Sequence, residues 1–422
     1  MNYYNYPQSG RLEEKRNLFS WKELPLLLML IAGSMNFYAY GIHIVVLISL
    51  LYCVLTGSIH YVEGLFAPAL LTVSLLFFWE DSLDGPATIV KCLVWPMIFL
   101  LGYEMTAMEA WDDAAAKRTE KRVNRYIFLI ALGFFAHFAL NFYINRGETK
   151  LGRNTNDVWT GDVRSATGQA ALACIPLGWS IASFMNNPGI RKRIPSLAVL
   201  AVVLMYNLVL STRTLFLMIL FVALVAVIYM VVAANRTEKK FFALLAVLTV
   251  TIFLVFGYQY NLFNMQDYFQ ESEFYSRFFS DGSQKISEDG RMDARQKFLK
   301  YMLYFLWGGG NIRRYTGSYA HDLVLDLYDD AGVLALIASV LLVFGSLRVL
   351  IRILKNHSIE FETRMMILCV FTALYMEFMV EPIFAGMPDL LMMFCFLYGV
   401  LVRMDKNLLY LQHVKLEETE KE

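Results

Sequence analysis

Charged residues are scarce in this sequence. Only 18% of its 422 residues are Asp, Glu, Lys or Arg, whereas 57% are hydrophobic. Soluble domains carry about 25% charged residues. The apolar residues gather in runs of about 17–22, the length that a helix needs to cross the hydrocarbon core of a membrane. Because these runs are long and lack period-two alternation, they indicate helices and not the strands of a β-barrel. We therefore predict an all-α, polytopic integral membrane protein.

Cysteine is also scarce. The five cysteines all fall in apolar stretches without CxxC or metal-type spacing: Cys53, Cys92, Cys174, Cys369 and Cys395. We interpret them as small buried residues, not as disulfides or metal ligands. Residues 1–22 lack the small-residue cleavage site of a signal peptide, so the first helix is expected to stay in the mature protein. The formal net charge is zero, and we expect no nucleic-acid partner.

The hydrophobic runs predict about twelve membrane spans. Their expected bounds are 23–39, 41–57, 61–79, 85–105, 125–144, 165–185, 195–210, 214–234, 241–257, 323–345, 364–381 and 388–404. Basic residues are concentrated at 106–125, 191–193, 236–240 and 348–364, which this count places on one side of the membrane. The positive-inside rule assigns that side, and both termini, to the cytoplasm. Segment 145–164, on the other side, also holds four basic residues.

A long segment, 258–320, connects two of the predicted membrane spans. It divides the chain into residues 1–257, with nine spans, an outer loop at 258–320, and residues 321–422, with three spans. A connection of roughly 60 residues is normally functional or disordered, and this one is rich in aromatic residues. We predict short helices against the membrane surface, one of them starting at Gly290-Arg291, running to Leu306 and ended by the glycines 308–310. The loop has no DxD, HExxH or P-loop pattern, so we expect no metal, cofactor or nucleotide.

Two polar residues near the predicted outer surface are candidates for chemistry. His321 is the only histidine of the outer region, and histidine can take up a proton near neutral pH. An interfacial histidine can also be a simple polar anchor. Arg213 stands between two apolar spans, where an arginine is costly unless it snorkels or binds an anion.

Four further charges are arranged in pairs with helical spacing. Arg291 and Arg295 share one helix face and repel each other mildly unless an anion lies between them. Glu377 and Glu381 have the same spacing in an apolar span, and either bind these arginines or form ordinary ion pairs. Arginines bind phosphate through two parallel hydrogen bonds. Arginines, a histidine and aromatic residues beside the outer leaflet therefore suit a lipid-linked diphosphate that carries a glycan.

Short motifs follow one another in a fixed order between residues 210 and 345. They are Ser211-Thr212-Arg213, Gly290-Arg291, Trp307-Gly308-Gly309-Gly310, Ala320-His321-Asp322, Leu325 and Asp330-Ala331-Gly332-Val333-Leu334. Their order and spacing resemble the shared region of O-antigen ligases and Wzy-type polysaccharide polymerases, whose topology the whole chain also resembles. Asp322 departs from the usual Asn of that family, and Asp330 from its common Glu.

The resemblance implies a fold of the C-type glycosyltransferase kind in the bacterial cytoplasmic membrane, with the active site on the extracytoplasmic side. It implies an inverting, metal-independent glycosyl transfer from an undecaprenyl-diphosphate-linked glycan. His321 would be the general base that deprotonates the acceptor hydroxyl. Arg213 and Arg291 would hold the departing diphosphate.

Five other residues of this region are expected to bind substrate: Arg295, Arg313, Arg314, Tyr319 and Asp322. Arg295 is a plausible further phosphate contact. Arg313 and Arg314 either steer the anionic donor or form a solvated basic turn.

Three functions remain open from the sequence. We favour a polymerase that joins lipid-linked repeat units, because polymerases are common among family members of this length. A ligase would move finished glycan to another acceptor with the same motifs. A transporter of lipid-linked glycan would need charges along a path through several spans. Few charges lie near mid-span, and Lys91 and Glu377 are the nearest cases. A chain-length regulator and a flippase of the same pathway are possible partners.

Overall fold

The computed structural model describes residues 23–57, 61–108, 112–146, 154–187, 189–210, 212–233 and 290–419. Over these residues the protein is helical apart from one two-stranded sheet, and several helices are apolar and long enough to cross a membrane. The prediction of an all-α membrane protein is confirmed. The predicted span 241–257 and residues 258–289 of the predicted loop lie outside the described residues.

The helices of the described ranges are numbered here in chain order. They are α1 (Leu24–Ser34), α2 (Gly41–Thr56), α3 (Phe66–Phe78), α4 (Pro86–Met105), α5 (Asp113–Ile144), α6 (Ala166–Leu172), α7 (Cys174–Asn186), α8 (Ile190–Leu210), α9 (Arg213–Ala233), α10 (Gly290–Tyr301), α11 (Asn311–Thr316), α12 (Leu323–Lys355), α13 (Phe361–Val380), α14 (Ile383–Gly386) and α15 (Pro388–Thr419). Two strands, β1 (Thr155–Asn156) and β2 (Val163–Arg164), form an antiparallel hairpin between α5 and α6.

Six of these helices have the length and hydropathy of a membrane span. They are α5, α8, α9, α12, α13 and the Thr88–Met105 part of α4. The pair α6 and α7 makes a seventh if it is one broken span, bent by 44°. Three further apolar helices, α1, α2 and α3, are shorter. The count of twelve spans stays a prediction.

Small residues allow the helices to approach one another closely. A Cβ atom on Gly102 of α4 would lie 2.2 Å from the carbonyl oxygen of Phe396, and one on Gly399 of α15 would lie 2.0 Å from that of Phe99. The two backbones therefore touch where these glycines cross, as in many membrane helix pairs. All five cysteines are free and buried, so their predicted place in the core is confirmed.

The helix α12 is broken at Gly332, which has φ 77° and ψ −164°. Only glycine readily adopts this conformation. The glycine triplet 308–310 docks against the break: the Gly309 N–H donates to the Asp330 carbonyl (2.9 Å), and the Val333 N–H donates to the Leu306 carbonyl (2.9 Å). A Cβ atom on Gly308 would lie 2.5 Å from the backbone nitrogen of Gly332.

This docking corrects the predicted end of the loop helix. The helix α10 ends at Tyr301 and not at Leu306, and the glycine triplet is not its stop signal. The carbonyls of Met302 and Leu306 accept hydrogen bonds from the Tyr328 hydroxyl and the Val333 N–H of α12. Contacts with α12 thus satisfy backbone groups that a longer helix would have paired within itself.

Candidate functional site

The arginines of α10 both point at the last turn of α13. The Arg291 guanidinium lies 2.8 Å from the Glu381 carboxylate and donates to the Val380 carbonyl (3.3 Å). The Arg295 guanidinium donates to the Met379 carbonyl. Carbonyls at a helix C-terminus lack partners within the helix and attract cations. The end of α13 therefore compensates the two like charges that share one face of α10.

Arg295 also joins α13 to the segment that carries His321. Its guanidinium donates to the His321 carbonyl (2.9 Å) and lies 3.4 Å from the Asp322 carboxylate. Three chain segments that are distant in sequence therefore meet at this arginine: α10, the start of α12 and the end of α13.

His321 has an unusual backbone conformation. Its φ is 55°, in the left-handed region that residues other than glycine seldom adopt. The next residue, Asp322, caps α12, because its carboxylate accepts a hydrogen bond from the Leu325 N–H (2.8 Å). Strained backbone of this kind often occurs at functional sites, where the surrounding structure maintains it. Here the hydrogen bond from Arg295 to the His321 carbonyl and the helix cap at Asp322 fix the chain immediately after the His321 Cα atom.

Asp322 can fulfil its structural role as well as an asparagine would. Both residue types are strong N-caps, so an aspartate at this position starts α12 as an asparagine would. Burial raises the pKa of the Asp322 carboxyl, while the Leu325 N–H and the charge of Arg295 oppose that shift.

Arg313 and Tyr319 lie together beside the acidic stretch of α12. The Arg313 guanidinium is 3.2 Å from the Asp330 carboxylate and 5.1 Å from the centre of the Tyr319 ring. The Asp329 carboxylate accepts from the Ile312 N–H at the start of α11 (2.8 Å). Arg313 therefore braces α11 against α12.

Arg314 points elsewhere. Its guanidinium forms an ion pair with Glu80 (2.6 Å), in which both side chains are more than half exposed. The structure thus places Arg314 apart from Arg291 and Arg295, and it gives Arg313 and Arg314 different neighbours.

Arg213 is the first residue of α9. Near the other end of α9, Tyr229 stacks on Phe361 at the start of α13, with ring centres 5.6 Å apart. The two helices pack against each other, so they run antiparallel and Arg213 lies at the level of the last turn of α13. The predicted residues His321, Arg291, Arg295 and Asp322 are joined by the contacts above, and Arg213 lies at the same level.

The site also contains residues whose importance the sequence did not reveal. Thr167, in the first turn of α6, lies close enough to the Glu381 carboxyl to oppose the rise of its pKa on burial. Asp326 of α12 accepts a hydrogen bond from the Ala385 N–H (3.1 Å) and so fixes α14 next to the end of α13. The sequence shows Asp326 as the first of three aspartates near the start of α12, which is a weak signal, and it shows no signal for Thr167.

A second polar cluster lies at the hairpin. The Asp157 carboxylate is 2.8 Å from the His137 Nε2 atom and 2.9 Å from the Arg164 guanidinium. His137 seemed an isolated histidine in the sequence, and its partner is twenty residues away. Among the described residues no group of three or more His, Cys, Asp or Glu side chains is placed to hold a metal ion.

No protein-family model matches this chain, and none of the curated proteins compared with it matches either.

The residues at the end of α13 combine three chemical properties. Its two arginines can bind a polyanion, its histidine can accept a proton, and its carboxylates keep the arginines in position while no anion is bound. We call this set, Arg291, Arg295, His321, Asp322 and Glu381, the α13 cluster.

Proposed function

We propose that the protein is a glycosyltransferase that joins oligosaccharide repeat units carried on undecaprenyl diphosphate, at the outer face of the bacterial cytoplasmic membrane. The observation that carries this proposal is the Arg295 contact. It ties the backbone of the strained His321 to the helix end that Arg291 binds, which supports the assignment of a proton acceptor and two guanidinium groups to one site.

In the proposed reaction the acceptor hydroxyl attacks the anomeric carbon of the donor sugar. The new C–O bond forms as the bond between that carbon and the diphosphate oxygen breaks, which inverts the configuration. The hydroxyl proton passes to the imidazole of His321, a step that contributes about 10²–10⁴-fold to the rate. Negative charge grows on the departing diphosphate, where Arg291 and Arg213 stabilise it and Arg295 adds a further contact.

Three other residues have supporting roles in this proposal. Asp322 fixes the start of α12 and with it the position of His321. Tyr319 offers an exposed ring to a sugar, with Arg313 stacked on it. Arg314 is exposed at the surface, where a positive charge can attract an anionic donor.

A polymerase and a ligase would use this site in the same way and differ only in the acceptor. The test therefore follows the product. Purified protein in nanodiscs is incubated with lipid-linked repeat units from the organism that makes it, and the glycans are separated on a gel. Wild type is compared with His321→Asn and Arg291→Gln. Asparagine tolerates a positive φ, so His321→Asn removes the base and keeps the backbone.

We expect wild type to produce a ladder with steps of one repeat unit, and both variants to lose it by at least about a hundredfold. His413→Asn and Arg348→Gln make the same chemical changes at exposed positions outside the cluster and should leave the ladder intact. A ladder that survives in His321→Asn would exclude His321 as the base. Glycan moved in one step to another acceptor would identify a ligase, and donor moved across the membrane without transfer would identify a transporter.

A further inference from the structure

One pair of carboxyl groups at the end of α13 has no role in the reaction proposed above. Glu377 is fully buried, with 0% of its surface exposed. Neither of its carboxylate oxygens accepts a hydrogen bond from any residue that the structure describes. A buried polar group without a partner is rare in native proteins and calls for a specific explanation.

Glu381, the second member of the pair, lies four residues further along and is 5% exposed. The Glu381 N–H donates to the Glu377 carbonyl (3.1 Å), which closes the last turn of α13. Its carboxylate holds Arg291 at 2.8 Å. One carboxyl group of the pair therefore holds a guanidinium, and the other has no hydrogen-bond partner among the described residues.

Among the described residues, the groups that contact the pair or act on its charge are Arg291 of α10, Thr167 of α6 and Cys174 of α7. Arg295 of α10 contacts the neighbouring Met379 carbonyl and Asp322 of α12, and Arg213 begins α9 at the same level. Burial raises the pKa of the Glu381 carboxyl, and attraction to Arg291 is the largest influence that opposes the shift. The ionised form of Glu381 thus depends on Arg291 remaining in place.

A bound diphosphate would compete with Glu381 for Arg291. If the guanidinium turned to the phosphate oxygens, the Glu381 carboxylate would be left buried without its counter-ion, beside a second buried carboxyl. An uncompensated buried charge is strongly unfavourable and is normally removed by a change of protonation.

We propose that Glu377 and Glu381 form a carboxyl pair that takes up a proton from solvent when a diphosphate ligand draws Arg291 away from Glu381. One O–H bond forms on a carboxylate oxygen, and no electrons are exchanged. Donor binding is then coupled to proton uptake, and release of the diphosphate returns the proton to solvent. The identity of the ligand rests on the proposed function; the coupling itself rests on the geometry of the pair.

Calorimetry on the full chain in nanodiscs tests this coupling. The probe is a short-chain prenyl diphosphate esterified to a monosaccharide, because a diphosphate diester does not titrate near neutral pH. Heats of binding measured in buffers of different ionisation enthalpy give the number of protons taken up, without any mutation. We expect up to one proton, and an affinity that rises by up to about tenfold for each pH unit that the pH falls.

Variants assign that proton to a residue. Glu377→Gln combined with Glu381→Gln should still bind the probe but lose both the proton uptake and the pH dependence. Histidine side chains in general can take up a proton near neutral pH, so His321→Asn must keep the proton uptake if the carboxyl pair is its source. Glu362→Gln, an exposed change at the other end of α13, is the matched control and should behave as wild type.

Two results would overturn the proposal. One of them leaves the proposed donor site standing, and the other does not. If wild type binds the probe with no proton uptake, or the double variant keeps the uptake, the carboxyl pair has no such role and the donor site still stands. If wild type binds no probe at any pH, the donor site of the proposed function fails, and the inference fails with it.

Discussion

Two arginine–carboxylate clusters in this protein differ in how completely their carboxylates are used. At the hairpin, the Asp157 carboxylate forms an ion pair with Arg164 and hydrogen bonds with three donors, the His137 Nε2 atom and the N–H groups of Trp159 and Thr160. His137 is 1% exposed and Asp157 3%. This cluster is closed in the sense that its carboxylate is fully engaged, although the buried Nδ1 atom of His137 has no hydrogen-bond partner among the described residues.

In the α13 cluster the cations are partly exposed, and a neighbouring carboxyl group has no hydrogen-bond partner among the residues that the structure describes. The side chains of Arg291 and Arg295 remain 28% and 31% exposed, although both reach buried backbone and carboxylates. Next to them, Glu377 accepts no hydrogen bond from the described residues. A closed cluster stabilises a fold, whereas exposed cations beside a buried carboxyl without a partner leave binding capacity for a ligand. The comparison predicts that changes at the hairpin affect mainly stability and changes at the α13 cluster affect mainly activity.

The largest effect on stability is expected from Asp157→Asn. The change leaves Arg164 without its counter-ion in a nearly buried site, which should lower the free energy of unfolding by about 3 kcal/mol. Thermal and denaturant unfolding in detergent measure the loss. Turnover per folded molecule should fall much less than in His321→Asn.

The comparison would fail if Asp157→Asn abolished turnover while the unfolding midpoint stayed unchanged. The hairpin would then belong to the reaction site, which it can reach through α6 and Thr167. Arg348→Gln, an exposed change elsewhere, controls for nonspecific effects on the detergent-solubilised protein.

A smaller effect on the free energy of unfolding should appear when the pH is lowered. Burial alone would raise the pKa of the Asp157 carboxyl, but the hydrogen bond from His137 and the charge of Arg164 outweigh it and hold the pKa well below its usual range. A carboxyl whose pKa is lowered by folding stabilises the protein above its unfolded-state pKa, and this contribution is lost as the pH falls through the folded-state value.

The difference in unfolding free energy between wild type and Asp157→Asn should therefore shrink as the pH falls below about pH 4. Denaturant titrations of both proteins below that pH measure it. A difference that grows over that range would contradict the assignment of Asp157 as an ionised acceptor.

The sequence alone was enough to predict a helical membrane protein and to single out the residues of the α13 cluster. It did not predict which of these residues contact one another. Helical runs reveal membrane helices because each run carries its own length and hydropathy. The spacing of Arg291 and Arg295 likewise placed them on one face of α10. The Glu381 and Met379 groups that receive them come from another helix about ninety residues away, and no local pattern specifies that pairing.

The parts that were predicted wrongly or missed depend on tertiary contacts. The end of α10 at Tyr301 is set by hydrogen bonds from α12, and the glycine triplet serves a backbone crossing with Gly332 that only the fold creates. The bond between His137 and Asp157 joins a helix to a hairpin. Sequence reasoning identified Glu377 and Glu381 as possible partners of arginines, but only the packed structure distinguishes the paired carboxyl from the buried one that lacks a partner.

The smallest effect is expected from Glu80→Gln. The pair that Glu80 forms with Arg314 is short at 2.6 Å, yet its side chains are 54% and 56% exposed, and solvent screens such pairs strongly. The free energy of unfolding should change by less than about 0.5 kcal/mol, measured beside Glu362→Gln as a control of equal charge.

If Arg314 attracts the donor, the Glu80→Gln change should raise the transfer rate slightly at low salt and not at high salt, because it removes the neighbouring carboxylate. A rate that is unchanged at low salt would remove Arg314 from the donor path. A stability loss above about 1 kcal/mol would instead show that an exposed ion pair anchors α11. It would then weaken the comparison above, in which the closed cluster at the hairpin stabilises the fold.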